Sequence, residues 1–144
     1  MKVLIVDGHS VLFGWPELRA MHDSRRIAAR EHLVRLLTSY QDATAIKVIV
    51  VFDGRTPKAG DDSAPGGIQV FYSSQNQTAD DIIERLVAKY GKEHDITVAT
   101  NDTLEQQTVY SFGGSWMSVE SLRTVLGDAE KDLRTRIKRH NASD

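Results

Sequence analysis

The sequence predicts an α/β protein with a mostly parallel central sheet of four to five strands, and three observations carry that prediction. Residues 3–6 and 48–52 are uninterrupted apolar runs rich in β-branched side chains, as expected of strands covered on both faces. Each run ends in an Asp-Gly pair, Asp7-Gly8 and Asp53-Gly54, a chain-reversal signal. Between the runs, Ala29, Leu33, Leu36, Leu37 and Tyr40 recur at helical spacing and predict a helix over about 24–42. A strand, a helix and a second strand in succession form a unit whose strands run parallel.

The remaining elements follow in order. Residues 55–67 hold two prolines, three glycines and two aspartates without periodicity, which reads as a surface loop. A strand-like run resumes over 68–72. Ala79, Ile82, Ile83, Leu86, Val87 and Tyr90 then mark an amphipathic helix closed by Gly91. Residues 96–100 read as a fourth strand, 103–110 as a short helix and Trp116-Met117 as a brief edge strand. A final helix over about 118–140 carries Val119, Leu122, Leu126, Ala129, Leu133 and Ile137 on one side and basic residues towards its end. The 144 residues fit one domain over 1–144, with neither repeats nor low-complexity tracts.

Composition narrows the chemistry. Eighteen Lys and Arg against 20 Asp and Glu leave a slight net negative charge, so any attraction to nucleic acid must be local. Arginines do cluster early, at positions 19, 25, 26, 30 and 35. They are either a solvated helix face or a guide for phosphates. With no cysteine, disulfides and thiolate metal sites are excluded. The first apolar run is too short for a signal-peptide core or a membrane span, so a cytoplasmic protein is expected.

The acids are distributed in a telling way. Asp7, Asp53 and Asp102 each stand at or just after the carboxyl end of an expected strand, the edge where open parallel sheets bind ligands. Asp80 and Asp81 open a helix at the same edge. Carboxylates that converge raise each other's pKa unless a cation lies among them, and an oxygen-only pocket favours Mg²⁺ or Mn²⁺. Such ions polarise a phosphodiester and activate water without a protein nucleophile. Each acid also has a structural reading. Asp102 with Glu105, and Thr78 with Asp81, match capping boxes; Asp53-Gly54 suits a turn, and Asp7 can cap a short helix. Asp7 and Asp80 are the strongest site candidates, because helix starts alone do not require both.

Segments spread over nearly the whole chain carry a resemblance. They are VLIVDG at 3–8, WPEL at 15–18, AREHL at 29–33, VIVVFDG at 48–54, QTADDIIERL at 77–86, ATNDTLEQ at 99–106 and MSVESL at 117–122. In this order and spacing the chain resembles the YacP-like NYN domains, bacterial endoribonucleases of the PIN-like superfamily. The resemblance implies a PIN-like three-layer α/β/α sandwich, Mg²⁺- or Mn²⁺-dependent cleavage of single-stranded RNA, and messenger RNA on the ribosome as the setting. By position it implies Asp7, Asp80 and Asp102 as catalytic metal-binding acids, with Asp102 in a Thr100-Asn101-Asp102 version of the family's T-S-D motif. Asp53, in the VVFDG segment, joins them as an expected metal ligand. Ser10, Trp15, Arg30, Asp81 and Asn101 form the expected substrate-binding set. Where the family has Tyr-Asn after Asp-Gly, this chain has His9-Ser10; Ser10 keeps a hydroxyl donor but the amide is lost.

Several assignments stay open at this level. The Trp15 indole either stacks on an unpaired base or packs beneath a loop; Arg30 either meets phosphate or pairs with a helix acid; His9 either touches phosphate or decorates a loop. A non-catalytic RNA- or ribosome-binding module is one competing function. A phosphorelay receiver is another, since Asp7 and Asp53 imitate its acidic pocket and phosphoacceptor, although no lysine lies between Lys92 and Lys131 to complete it.

Overall fold

The structure, a computed structural model, describes residues 1–54 and 67–143. Most of the expected 55–67 loop therefore lies outside the described residues. Five strands, β1 (Lys2–Asp7), β2 (Lys47–Phe52), β3 (Gln69–Tyr72), β4 (Asp95–Ala99) and β5 (Ser115–Met117), form one all-parallel sheet in the order β3-β2-β1-β4-β5. Around it lie six helices: α1 (Gly8–Gly14), α2 (Pro16–Ser24), α3 (Arg26–Thr44), α4 (Ala79–Tyr90), α5 (Thr103–Ser111) and α6 (Val119–Ser143).

The apolar runs explain the layering. Along β1 and β2 successive side chains alternate between faces. Leu4, Val6, Val48, Val50 and Phe52 pack with α1, α2, α3 and the start of α6, whereas Val3, Ile5, Ile49 and Val51 pack with α4 and Val109 of α5. Both faces are covered, so the runs are continuous rather than alternating, and the three-layer α/β/α arrangement is the one expected.

The strand order positions the site. The connections diverge between β1 and β4, and at such a switch point the strand ends border a crevice. Val6 pairs with Ala99, so Asp7 and Thr100 follow side by side at that crevice. The same order excludes the receiver alternative, whose doubly wound sheet runs 2-1-3-4-5.

Asp7 does cap a short helix, α1, and a second short helix, α2, has no counterpart among the expected elements. Residues expected as a loop before position 24 form α1 and α2, and α3 begins at Arg26. The signal is weak because α1 spans seven residues between glycines and α2 buries Leu18 as its one fully covered residue. Gly8 is required where β1 turns into α1, since a Cβ there would sit 2.4 Å from Phe52 Cδ1 and 2.9 Å from the Val51 carbonyl oxygen. Trp15, between α1 and α2, is 2 % exposed and donates from Nε1 to the Val119 carbonyl at 2.7 Å. Its ring has no free face for a base. The stacking expectation is corrected to the packing one, in which the indole ties α1 and α2 to the start of α6.

Candidate active site

Asp7 is the last residue of β1 and caps α1. Its Oδ1 accepts from the Ser10 amide at 3.4 Å, and its Oδ2 accepts from the Ser10 hydroxyl at 2.8 Å and the Thr100 hydroxyl at 2.9 Å. The carboxylate is 6 % exposed yet well supplied with donors, which is the condition for keeping a buried charge. Ser10 also accepts from the Asn101 amide at 3.2 Å, joining the first turn of α1 to the end of β4.

Asp80 and Asp81 open α4 and divide the labour. Asp81 completes a capping box: its Oδ2 accepts from the Thr78 amide at 3.1 Å while the Thr78 hydroxyl accepts from the Asp81 amide at 3.1 Å. That engagement accounts for Asp81 structurally. Asp80, one residue earlier, faces the crevice, where its carboxylate oxygen comes within 4.8 Å of carboxylate oxygens from Asp102 and Glu105.

Asp102 caps α5, with Oδ1 accepting from the amides of Leu104 at 3.0 Å and Glu105 at 3.4 Å. Glu105 would be the reciprocal partner of a capping box, but the Asp102 amide already donates to Thr100 Oγ1 at 3.1 Å. Glu105 is instead turned inward, one turn before buried Val109 on the same face of α5. It is 4 % exposed, and neither of its oxygens completes a hydrogen bond of good geometry among the described residues, although the Asp80 carboxyl and the Thr100 hydroxyl lie near enough to act on it. Burial pushes its carboxyl up to about 10, assisted by the adjoining Asp80 carboxyl and the negative charge of Asp7 and opposed only weakly by the Thr100 hydroxyl.

This arrangement is unstable as a set of bare anions. A carboxylate without well-formed hydrogen bonds, buried beside other carboxylates, takes up either a proton or a cation. The orphaned oxygens of Glu105 and the all-oxygen donor set of Asp80, Asp102 and Glu105 therefore fit a hard divalent cation. Sequence reasoning missed Glu105 because a capping box accounted for it; the available signal was an acid four residues before Val109, at an apolar position of α5.

The other expected residues lie around this cluster. Asp53 is exposed at the end of β2, where Oδ1 accepts from the Ser73 hydroxyl at 2.9 Å, apart from the three clustered acids. Asn101 is taken up by α6: its Oδ1 accepts from the Val119 amide at 3.0 Å and its Nδ2 donates to Glu120 Oε1 at 3.1 Å. Arg30 forms no ion pair with a helix acid among the described residues. Its Nη2 donates to the Asp53 carbonyl at 2.7 Å and its guanidinium lies 5.4 Å from the Phe52 ring centroid and 5.8 Å from that of Tyr72. No helix is long and apolar enough to cross a membrane among the described residues.

Comparison with known proteins bears on the family and the fold. The chain is 29 % identical over 141 residues to YacP of Bacillus subtilis (strain 168), covering 96 % of this chain and 83 % of that protein. The crystal structure of Rae1 (YacP) from Bacillus subtilis superposes with a TM-score of 0.81 at 28 % identity over 99 % of this chain and 83 % of that one. Its W164L mutant gives 0.82 at 29 % identity, over 99 % and 85 %. NYN domains are PIN-like nucleases, so these likenesses support a ribonuclease-type function with RNA as substrate. The model of the YacP-like NYN domain matches residues 4–144, and the chain belongs to that family.

Proposed function

We propose that this protein is a Mg²⁺- or Mn²⁺-dependent endoribonuclease that hydrolyses phosphodiester bonds of single-stranded RNA, with Asp7, Asp80, Asp102 and Glu105 as its working acids. The observation that carries the reading is Glu105, a buried carboxylate with no well-formed hydrogen bond that adjoins two exposed ones. Asp80, Asp102 and Glu105 would hold the cation. The chemistry such an ion supplies is Lewis acidity towards the phosphodiester and a lowered pKa for the attacking water.

The chain's own groups perform the positioning. Ser10 and Thr100 hold Asp7 Oδ2 in a fixed orientation, leaving Oδ1 with a single long contact from an amide and capacity to accept from a water. Asp102 is fixed by its cap bonds, so its second oxygen needs no rearrangement to serve the site. Preorganisation of this kind raises rates by avoiding reorganisation at the moment of reaction. Messenger RNA met on the ribosome, and hence action in the cytoplasm, is the finer reading that the family resemblance favours.

The test is cleavage of a single-stranded RNA by purified protein with Mn²⁺ or Mg²⁺, comparing wild type with Asp7→Asn and Asp80→Asn. Wild-type activity that chelator abolishes, and that falls by orders of magnitude in either variant while cooperative melting persists, is expected. Undiminished cleavage in the variants would overturn the assignment. RNA binding by wild type without cleavage under any metal would favour the non-catalytic module.

A further inference from the structure

On the β1–β2 side of the acidic crevice, three helices bring together a second group of side chains with the opposite electrostatic character. His9 and Phe13 are four residues apart on α1 and stack with centroids 4.5 Å apart; Phe13 in turn contacts the ring of His22 on α2 at 4.9 Å. Arg26 and Arg30 lie one turn apart at the start of α3, so they share a face. His22 is within electrostatic reach of Arg26, Arg30 and His9, and Asp23 is the one carboxylate acting on it. Two guanidiniums and a second imidazole thus act on His22, and the opposing acids among the described residues are Asp23 at His22 and Asp53 at Arg30.

Arg30 is unusual within the group. It is 8 % exposed and its Nε has no hydrogen-bond partner among the described residues. The Asp53 carbonyl and the faces of Phe52 and Tyr72 hold its guanidinium in place, and the Asp53 charge acts on it without forming an ion pair among the described residues. Burial nevertheless disfavours its charge, a cost that a bound phosphate would offset. Desolvation, and after it the charges of Arg26 and Arg30, hold the imidazole of His22 below its usual value.

We infer that His9, His22, Arg26 and Arg30 form a phosphate cradle that binds a backbone phosphate of the RNA strand neighbouring the scissile linkage. This rests on the ribonuclease reading and deepens it. His9 is the second residue of α1, the helix that Asp7 caps, and Arg30 is bonded to the turn that ends β2, the neighbour of β1. A strand laid across the carboxyl edge of the sheet meets the acidic cluster by β4 and the cradle by β1 and β2. Guanidinium suits this task because its fork of donors matches phosphate oxygens. The cradle also gives a role to His9, the residue at which this chain departs from its family's Tyr-Asn.

The experiment measures binding of a fluorescent single-stranded oligoribonucleotide by anisotropy in EDTA, across a salt series. Wild type is compared with His9→Gln, His22→Gln and Arg26→Gln singly and combined, and with Arg30→Met. For single strands, log affinity falls against log salt with a slope near −0.7 per phosphate contact. The triple variant is expected to bind about tenfold or more weakly with a slope shallower by roughly 0.7, the one phosphate contact that Arg26 supplies. Because Arg30 also packs on two rings, the exposed Arg26 and His9 variants keep the inference testable if Arg30→Met fails to fold. A neutral methylphosphonate walked along the oligonucleotide should weaken wild type at one linkage and leave the triple variant indifferent there. Unchanged affinity and slope in the triple variant of an RNA-cleaving protein would overturn the cradle and leave the nuclease standing; wild type that never cleaves RNA but shows the cradle-dependent slope would do the reverse.

Discussion

Two buried carboxylates at the same sheet edge meet opposite fates. Asp7, at the end of β1, is 6 % exposed and takes hydrogen bonds from Ser10 and Thr100. Glu105, in the first turn of α5, is 4 % exposed and receives no hydrogen bond of good geometry among the described residues. Charge burial is tolerated at the first by donors built into the fold, whereas at the second the fold supplies acids instead. The difference teaches that Asp7 is a positioned anion, stable on its own account, and that Glu105 marks where the protein relies on a cation or a proton from outside.

The sharpest way to break this comparison is at Asp102, which serves both structure and site. Asp102→Asn keeps an N-cap oxygen, and Asp102→Ala removes it. Both are expected to lower RNA cleavage by orders of magnitude, but only Ala should lose stability, by about 1 kcal/mol in denaturant melts. Equal stability losses with cleavage retained would make Asp102 a cap and nothing more.

The next effect concerns pH. The folded-state pKa of Glu105 lies at about 10 against an ordinary 4.5, so between those values the native state holds more protons than the unfolded one. Stability contributed by this group is complete below about pH 4.5 and is lost as pH rises towards 10. In chelator, wild type should therefore lose stability with rising pH over that window, and Glu105→Gln should show a flatter profile. Parallel profiles would mean that Glu105 is satisfied after all.

The smallest effect is at the satisfied carboxylate. Thr100→Val removes one of the hydroxyl donors to Asp7 and should cost about 0.5–1.5 kcal/mol. A loss far larger than this would show that Asp7 too depends on an outside charge.

The contrast also explains what the sequence reveals. Strands buried on both faces are legible because VLIV and VIVVF admit no polar position, and the site edge because Asp7 and Asp102 punctuate strand ends. Helices α1 and α2 are not, since they are short and lean on Trp15 and Leu18 for burial. Trp15 itself reads equally as a stacking platform until its bond to the Val119 carbonyl, 104 residues away, is seen. Glu105 is hidden by a local pattern that predicts a capping box, while the competing acceptor for the Asp102 amide, Thr100 Oγ1, comes from β4's end. Asp81 has the same local pattern and does form the box. Spacing alone does not separate the two; tertiary placement does.

The central claim is that Asp80, Asp102 and Glu105 hold a divalent cation. Thermal melting of chelator-stripped protein titrated with Mn²⁺ tests it most directly, because a ligand bound by the native state alone raises the melting temperature with its concentration. A saturable rise in wild type that disappears in Glu105→Gln and in Asp80→Asn is the predicted result. The same rise in wild type and in both variants, or none in any of them, would contradict the account.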